Sequence, residues 1–124
     1  MSEIRLLFAA LPAMLSEILR QATEGETDLR IVEERPGLED LTTVASRASV
    51  DVVVVGTEGG ELPRECAKLM YERPLTSALA VSRDGTVASA YRLRPHGISM
   101  ENASSGQIIE AIRELSLPPP ELRR

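Results

Sequence analysis

The stretch DVVVVG, residues 51–56, contains an acidic residue, four valines and a glycine, and it continues as TEGGELP. A run this apolar predicts a strand that is buried on both faces, and such strands are usually central in a parallel sheet. In open α/β sheets, ligands and reacting groups gather beyond the carboxyl ends of the strands. This strand has Gly56 at that place, so the sequence offers no side chain there.

Strand-like and helix-like segments alternate on both sides of the valine strand. Residues 4–10, 28–34 and 76–81 predict three further strands, with an amphipathic helix after each of the first three strands in the chain. The second of these strands is shorter and more alternating, as expected at an edge. The first helix is expected to bury one stripe, made of Leu11, Met14, Leu15, Ile18, Leu19 and Ala22. This alternation, with short connections, predicts a mostly parallel sheet between two helical layers.

The pattern changes after the fourth strand. SRDGTVASAYRL, residues 82–93, contains an Asp-Gly pair between strand-like residues, which is a strong hairpin signal. The segment is too short for a helical crossover, because a parallel return needs a dozen or more residues. Residues 86–93 are therefore predicted to form a strand antiparallel to the fourth, at the edge of the sheet.

A last helix is predicted to close the domain. It is expected to begin near Ser104, which has capping-box spacing to Gln107, and to bury Ile108, Ile109, Ile112 and Leu115. A loop starting at Pro95 and Gly97 leads into it. Residues 1–116 are predicted to form a single domain, and residues 117–124, LPPPELRR, an exposed proline-rich tail.

The composition narrows the class of protein. The chain has 124 residues, 43% of them hydrophobic, and only three aromatic residues, so the core must be aliphatic. A net charge of −5 argues against sequence-independent binding to nucleic acid or to an anionic membrane. With no leader pattern, no spanning segment and a single cysteine, the protein is predicted to be cytoplasmic.

Enzymatic motifs are not evident. Cys66 lies in an amphipathic segment, where it is interpreted as a small buried hydrophobe, and His96 is interpreted as a surface residue of a loop. The glycine-rich GTEGGE, residues 56–61, could bind an anion through its backbone N–H groups. It lacks the lysine of a P-loop, and Glu58 and Glu61 would repel phosphate, so a turn is the favoured interpretation. No enzyme activity, cofactor or metal site is predicted.

The opening IRLLFAALPAMLSEILRQATEGETDLRIVEE and the strand VDVVVVG resemble receiver domains of two-component response regulators, the type that usually carries a LuxR-type DNA-binding domain. The resemblance covers residues 3–83 well and the remainder poorly. It implies a flavodoxin-like sheet of order 2-1-3-4-5, and the hairpin predicted at the Asp-Gly pair takes the place of the family's fourth helix. It also places Ser82 at the family's Ser/Thr switch position and Arg94, in YRLRP, at its lysine.

The departures from the receiver pattern decide the predicted chemistry. The resemblance places Ala9 and Ala10 at the acidic pair that holds Mg²⁺, and Gly56 at the phosphorylated aspartate. A hard cation needs several oxygen ligands, and Glu58 alone cannot replace them. The resemblance therefore implies a non-catalytic pseudo-receiver that is not phosphorylated.

Two functional classes remain open. The first is a signalling or interaction module, recognised by another protein such as an effector or a kinase-like partner, with a homodimer through Thr86–Tyr91 or the final helix as one form. The second is a small-molecule or anion sensor, with Thr57, Ser82 and Arg83 as its polar residues in the crevice beyond Ala10 and Gly56. The first is favoured, because good ligand sites carry several convergent polar groups.

Overall fold

The structure is a computed structural model that describes residues 3–93 and 98–116. In these ranges strands and helices alternate up to the fourth strand, and two further strands precede the last helix. The elements are β1 (Ile4–Ala9), α1 (Ala13–Glu24), β2 (Leu29–Arg35), α2 (Leu41–Ala48), β3 (Val52–Thr57), α3 (Arg64–Glu72), β4 (Ser77–Ser82), β5 (Val87–Tyr91), β6 (Ile98–Glu101) and α4 (Ser105–Ser116).

The strands form one sheet in the order β2-β1-β3-β4-β5-β6. The first four strands in the chain are parallel to one another, while β5 is antiparallel to β4 and β6 is antiparallel to β5. The predicted order 2-1-3-4-5 and the antiparallel fifth strand are thus confirmed. The valine strand lies between β1 and β4, and every residue from Val52 to Thr57 is buried, as predicted.

The strand predicted at residues 86–93 is present as β5, but the prediction that it lies at the edge of the sheet is wrong. The Asp-Gly hairpin is present, with Gly85 at a φ of 76° in the turn. However, β6 pairs with the far side of β5, and Ser99 lies opposite Ser89. The segment that was expected to be a loop thus supplies a sixth strand, which takes the edge position.

The sixth strand restores the direction of the chain. β5 runs back along β4 and ends with Tyr91 opposite Ala78, near the amino end of β4. β6 returns to the other end, where Glu101 lies opposite Val87. α4 therefore begins at the carboxyl edge, the edge at which the parallel strands β1, β3 and β4 end. A helix following a parallel strand would begin at the same edge.

Each face of the sheet has its own core. α1 and α4 cover one face, where Phe8, Val54 and Leu79 are buried with the stripe of α4. α2 and α3 cover the other, where Leu7, Val53 and the buried thiol of α3 pack together. The alternation of side chains along each strand sends neighbouring valines of β3 into opposite cores.

The buried stripe of α1 differs from the predicted one. Met14 and Ile18 are 78% and 49% exposed, whereas Ser16 and Thr23 are buried. The Ser16 hydroxyl donates a hydrogen bond of 2.5 Å to the Glu34 carboxylate, and the Thr23 hydroxyl donates one of 2.8 Å to a backbone carbonyl. Small side chains whose hydroxyls are bonded can be buried without a large desolvation cost, and they let the helix approach the sheet.

The last helix matches its prediction. The Ser104 backbone N–H donates to the Gln107 side-chain oxygen at 2.8 Å, and the Gln107 N–H donates to the Ser104 hydroxyl at 3.2 Å. These two bonds form the capping box. The predicted stripe of four residues is buried. The predicted tail, residues 117–124, lies outside the described residues. None of the described helices is both long enough and apolar enough to cross a membrane.

Candidate functional site

The candidate site lies at the carboxyl edge, where β1, β3 and β4 end beside one another. β3 pairs with β1 on one side and with β4 on the other, and Thr57 lies opposite Ser82. Gly56 lies against the loop that follows Ala9. The structure therefore brings together four of the positions that the receiver resemblance singled out, which are Ala9, Ala10, Gly56 and Ser82.

Gly56 has no room for a side chain. A Cβ at this residue would overlap the carbonyl oxygen of Ala10, and it would lie 3.1 Å from the Ala10 carbonyl carbon and 3.2 Å from the Leu11 Cα. All three atoms belong to the backbone, so they cannot rotate away as the end of a side chain would. Ala10 itself has a φ of 55°, and its N–H donates to the Arg35 carbonyl at 3.0 Å. The β1–α1 loop thus fills the place that an acceptor side chain would need.

The glycine-rich loop after β3 uses its own amide groups. The Thr57 hydroxyl oxygen accepts a hydrogen bond of 2.7 Å from the Gly60 N–H. The Gly59 N–H donates to both carboxylate oxygens of Glu61, at 3.1 and 3.3 Å, and this bond is the main cause that lowers the pKa of Glu61. Backbone N–H groups that would hold an anion are therefore engaged within the loop. This arrangement favours the turn over the anion site.

The same loop is anchored to β5. The Tyr91 hydroxyl donates a hydrogen bond of 3.0 Å to the Gly60 carbonyl. Gly60 has a φ of 87°, and a Cβ there would lie 3.0 Å from a methyl group of Val87. The loop thus covers part of β5. Sequence reasoning missed this contact, because neither a glycine nor a strand tyrosine indicates a partner so far along the chain.

Ser82 belongs to the hairpin turn. Its hydroxyl donates to the Asp84 carboxylate at 2.7 Å and accepts from the Val87 N–H at 3.0 Å. The same Asp84 oxygen accepts from the Thr86 hydroxyl at 2.7 Å and from the Thr86 N–H at 3.0 Å. These bonds, the one from Ser82 first, lower the pKa of Asp84 to about 2. The predicted switch position is thus a structural part of the turn.

Arg83, the third crevice candidate, pairs with Glu58. The guanidinium and the carboxylate are 2.9 Å apart, and the two side chains are 62% and 81% exposed. Exposed pairs of this kind contribute little to stability. Glu58 is the carboxylate that follows Gly56 most closely in the sequence, and this pair engages it.

Other candidate residues give no reactive group. Cys66 is fully buried, as predicted, and burial raises the pKa of its thiol to about 12. Among residues 3–93 and 98–116, no three His, Cys, Asp or Glu side chains are grouped so that they could hold a metal ion. Arg94 and His96 lie outside the described residues. Tyr91, which begins the YRLRP match, lies opposite Ala78, far along the strand from the carboxyl edge.

Comparison with known proteins supports the fold. No protein-family model and no curated protein sequence matches this chain. The chain is similar in structure to the response regulator domain of Thermotoga maritima CheB, with a TM-score of 0.61 and 18% identity over 94% of this chain and 99% of that one. It is also similar to the isolated REC domain of RcsB from Salmonella enterica serovar Typhimurium, solved with the phosphomimetic BeF3-. That match has a TM-score of 0.53 and 12% identity over 94% of this chain and 74% of that one. The chain thus has the flavodoxin-like fold of response regulator receiver domains.

Proposed function

We propose that this chain is a pseudo-receiver, a non-catalytic module that acts in signalling through contact with another protein and does not depend on phosphorylation. The observation that carries the proposal is the position of Ala10. Its backbone fills the space in which an acceptor side chain at Gly56 would lie. A conventional receiver needs that space to be open.

The chemistry of the carboxyl edge supports the same proposal. Receiver-type phosphoryl transfer needs a carboxylate nucleophile and a cation held by several oxygen ligands. Ala9, Ala10 and Gly56 provide neither, and Glu58 is an exposed residue paired with Arg83. Among the described residues, the carboxylates in the loops that follow β3 and β4 at this edge are those of Glu58, Glu61 and Asp84, and each is already engaged by a neighbouring side chain or N–H group, which supports the proposal.

The hydrogen bonds of the crevice favour an interaction module over a small-molecule sensor. The polar atoms of Thr57 and Ser82 are used by the loop and the turn, and Arg83 is paired. A ligand would have to break these contacts before it could use those groups. The sensor stays an alternative prediction that a ligand screen can test.

The proposed partner is another protein, an effector or a kinase-like protein, in the cytoplasm. The net charge of −5 supports a protein partner over nucleic acid or an anionic membrane. Self-association through the final helix also stays a prediction. The proposed homodimer through the free edge of β5 is withdrawn, because β6 occupies that edge.

The proposal is tested by incubating the chain with acetyl phosphate and Mg²⁺ and measuring its intact mass. We expect no phosphoryl adduct on the wild type, and none on Gly56→Asp, because the metal ligands would still be absent. An intact conventional receiver serves as the positive control. A phosphoryl adduct on the wild type would contradict the proposal.

A thermal-shift screen against nucleotides and metabolites separates the two functional classes. A ligand that binds only the folded state raises the melting temperature. Because an interaction module binds none of these compounds, we expect no change in the melting temperature with any of them. A saturable shift that is lost in a Thr57→Val variant would instead support the sensor.

A further inference from the structure

A groove of about 590 Å³ runs beside α4, and none of the candidate-site residues lines it. One wall is the outer side of α4, and the floor is the sheet at β5 and β6. The lining residues are Ala90, Arg92, Met100, Ser104, Gly106, Gln107, Glu110, Ala111, Glu114 and Leu115. The volume lies within the range of protein binding sites, roughly 300–1,000 Å³.

The groove exists because the sheet is wider than the helical layer on this face. Six strands at a spacing of about 4.8 Å span roughly 24 Å, and a helix is about 10 Å wide. α1 and α4 are the two helices on this face, and α4 packs on β3, β4 and β5. The addition of β6 therefore leaves a strip of sheet above which no helix of residues 3–93 and 98–116 lies.

The floor of the groove is apolar and shallow. Ala90 is buried, and Met100 packs partly buried against the core of this face. On the α4 wall, Ala111 and Leu115 continue the apolar surface, and Gly106 has no side chain. Short side chains along one wall let a second helix approach closely.

Among the described lining residues, the most exposed charged side chains are two carboxylates, which form an acidic rim. Glu110 and Glu114 have side chains that are 76% and 52% exposed, whereas Arg92 is only 14% exposed. The Arg92 guanidinium donates to the Glu114 backbone carbonyl and lies 3.9 Å from the Glu114 carboxylate. Arg113 lies 3.2 Å from Glu110 on the same helix. Two exposed carboxylates thus border the opening, while the lining guanidinium is turned inward.

We propose that this groove binds an amphipathic helix of a partner protein, with the apolar stripe on the floor and lysine or arginine residues facing Glu110 and Glu114. The inference rests on the proposed interaction function and adds the surface and the chemistry of the partner. The apolar floor of the groove is suited to the apolar stripe of the partner helix. The acidic rim is complementary in charge to the basic residues beside that stripe.

The shape of the groove favours a helix over a compact ligand or a strand. The wall from Gly106 to Leu115 is about 14 Å long at 1.5 Å per residue, which is between two and three helical turns. A strand would add to the outer edge of β6 and would leave the strip of sheet above β5 uncovered. A helix parallel to α4 would instead contact β6 and the part of β5 that α4 leaves exposed.

The test uses the full chain and two fluorescent peptides of about 15 residues, enough for four turns. Both peptides carry leucine at i, i+3, i+4 and i+7. One has lysine beside this stripe, and its matched control has glutamate. Fluorescence anisotropy should show saturable binding of the lysine peptide and at least about tenfold weaker binding of the glutamate peptide.

Variants then locate the binding surface. Ala111→Arg places a long side chain in the groove and should abolish binding, with folding checked by circular dichroism. Glu110→Lys with Glu114→Lys should reverse the preference between the two peptides. Glu24→Lys with Glu72→Lys changes the net charge equally at exposed residues outside the groove and should leave the preference unchanged.

Several results would overturn the inference. Equal affinity for both peptides, or binding that survives Ala111→Arg, would remove the groove as the site. Binding that appears only after residues 117–124 are deleted would assign the groove to this chain's own tail. A wild-type dimer that dissociates in Ala111→Arg would assign it to a second copy. The mass test checks the proposed function separately. If the groove fails these binding tests but the wild type still forms no phosphoryl adduct, the proposed function stands.

Discussion

The backbone carbonyl of Ala10 lies where a side chain on Gly56 would begin. The glycine and the left-handed conformation of Ala10, with its φ of 55°, therefore depend on each other. The loop keeps its path because β3 ends without a side chain. Restoring an acceptor would require the loop to move as well as a change of residue. The glycine at position 56 is thus required by the backbone path of the loop.

Gly56→Ala should destabilise the domain by about 1–3 kcal/mol, because the added methyl group must displace the backbone of Ala10 and Leu11. Urea denaturation of the two proteins measures the difference. Gly59→Ala is the matched control in the next loop, since its Cβ would meet only a Glu61 carboxylate oxygen at 3.8 Å. Equal destabilisation by both variants would contradict the steric explanation.

Val53→Asp and Val54→Asp should each unfold the domain. Both valines have an exposure of 0% and they point into opposite cores, so either carboxylate would be buried without a partner. The expected cost is on the order of several kcal/mol. Circular dichroism and thermal melting measure it. Val32→Asp, at a half-buried position on the edge strand β2, should have a smaller effect, and a near-native melt of either core variant would refute this prediction.

Asp84→Asn should reveal the contribution of the hairpin turn as a function of pH. The pKa of Asp84 is lowered from 3.8 to about 2, chiefly by the Ser82 hydroxyl and then by Thr86. A carboxyl group whose pKa is lower in the folded state than in the unfolded state stabilises the fold fully when the pH is above its unfolded-state pKa. This stabilisation is lost as the pH falls through its folded-state pKa. The variant should therefore be less stable above about pH 4, with a difference that shrinks towards pH 2. Urea titrations at several pH values measure the difference in the free energy of unfolding between the two proteins. A difference that stays constant from about pH 4 to pH 2 would show that ionisation of Asp84 is not its cause.

Gly106→Ala should stabilise the domain by about 0.5 kcal/mol, since glycine is a poor helix former. The added methyl group would meet only the Ser104 hydroxyl, at 3.8 Å. Gly60→Ala is the contrasting variant. It should be destabilising, because Gly60 has a φ of 87° and contacts Val87. Denaturant titration of both variants measures their free energies of unfolding. It checks whether the backbone conformation at each glycine decides if alanine stabilises or destabilises the domain.

Much of the fold could be predicted because the signals are local. The four valines, the Asp-Gly turn and the Ser104–Gln107 capping box each specify structure within a few residues. β6 could not be predicted, because ISME, residues 98–101, is short and has no distinctive strand pattern. The stripe of α1 was misplaced, because hydrophobicity alone cannot show that the Ser16 hydroxyl finds a partner on β2.

The candidate site was predictable only in its composition. The absence of carboxylates at Ala9, Ala10 and Gly56 is visible in the sequence. The clash between Gly56 and the Ala10 carbonyl depends on a backbone conformation that no motif encodes. The groove beside α4 was missed for a related reason. It results from the width of the sheet relative to its helices, which depends on the unpredicted sixth strand.

The β4–β5–β6 arrangement also affects how the chain is expected to fold. Val81 pairs with Ala88 across a short turn, whereas Leu6 pairs with Val52 only after a long loop has closed. Local pairings form at a low entropic cost, and long-range parallel pairings form slowly. We expect Ala88→Gly to slow refolding and Leu6→Ala mainly to speed unfolding, as stopped-flow kinetics can measure. A hairpin between β4 and β5, in place of a helical crossover, would then give this domain a folding nucleus in its C-terminal half.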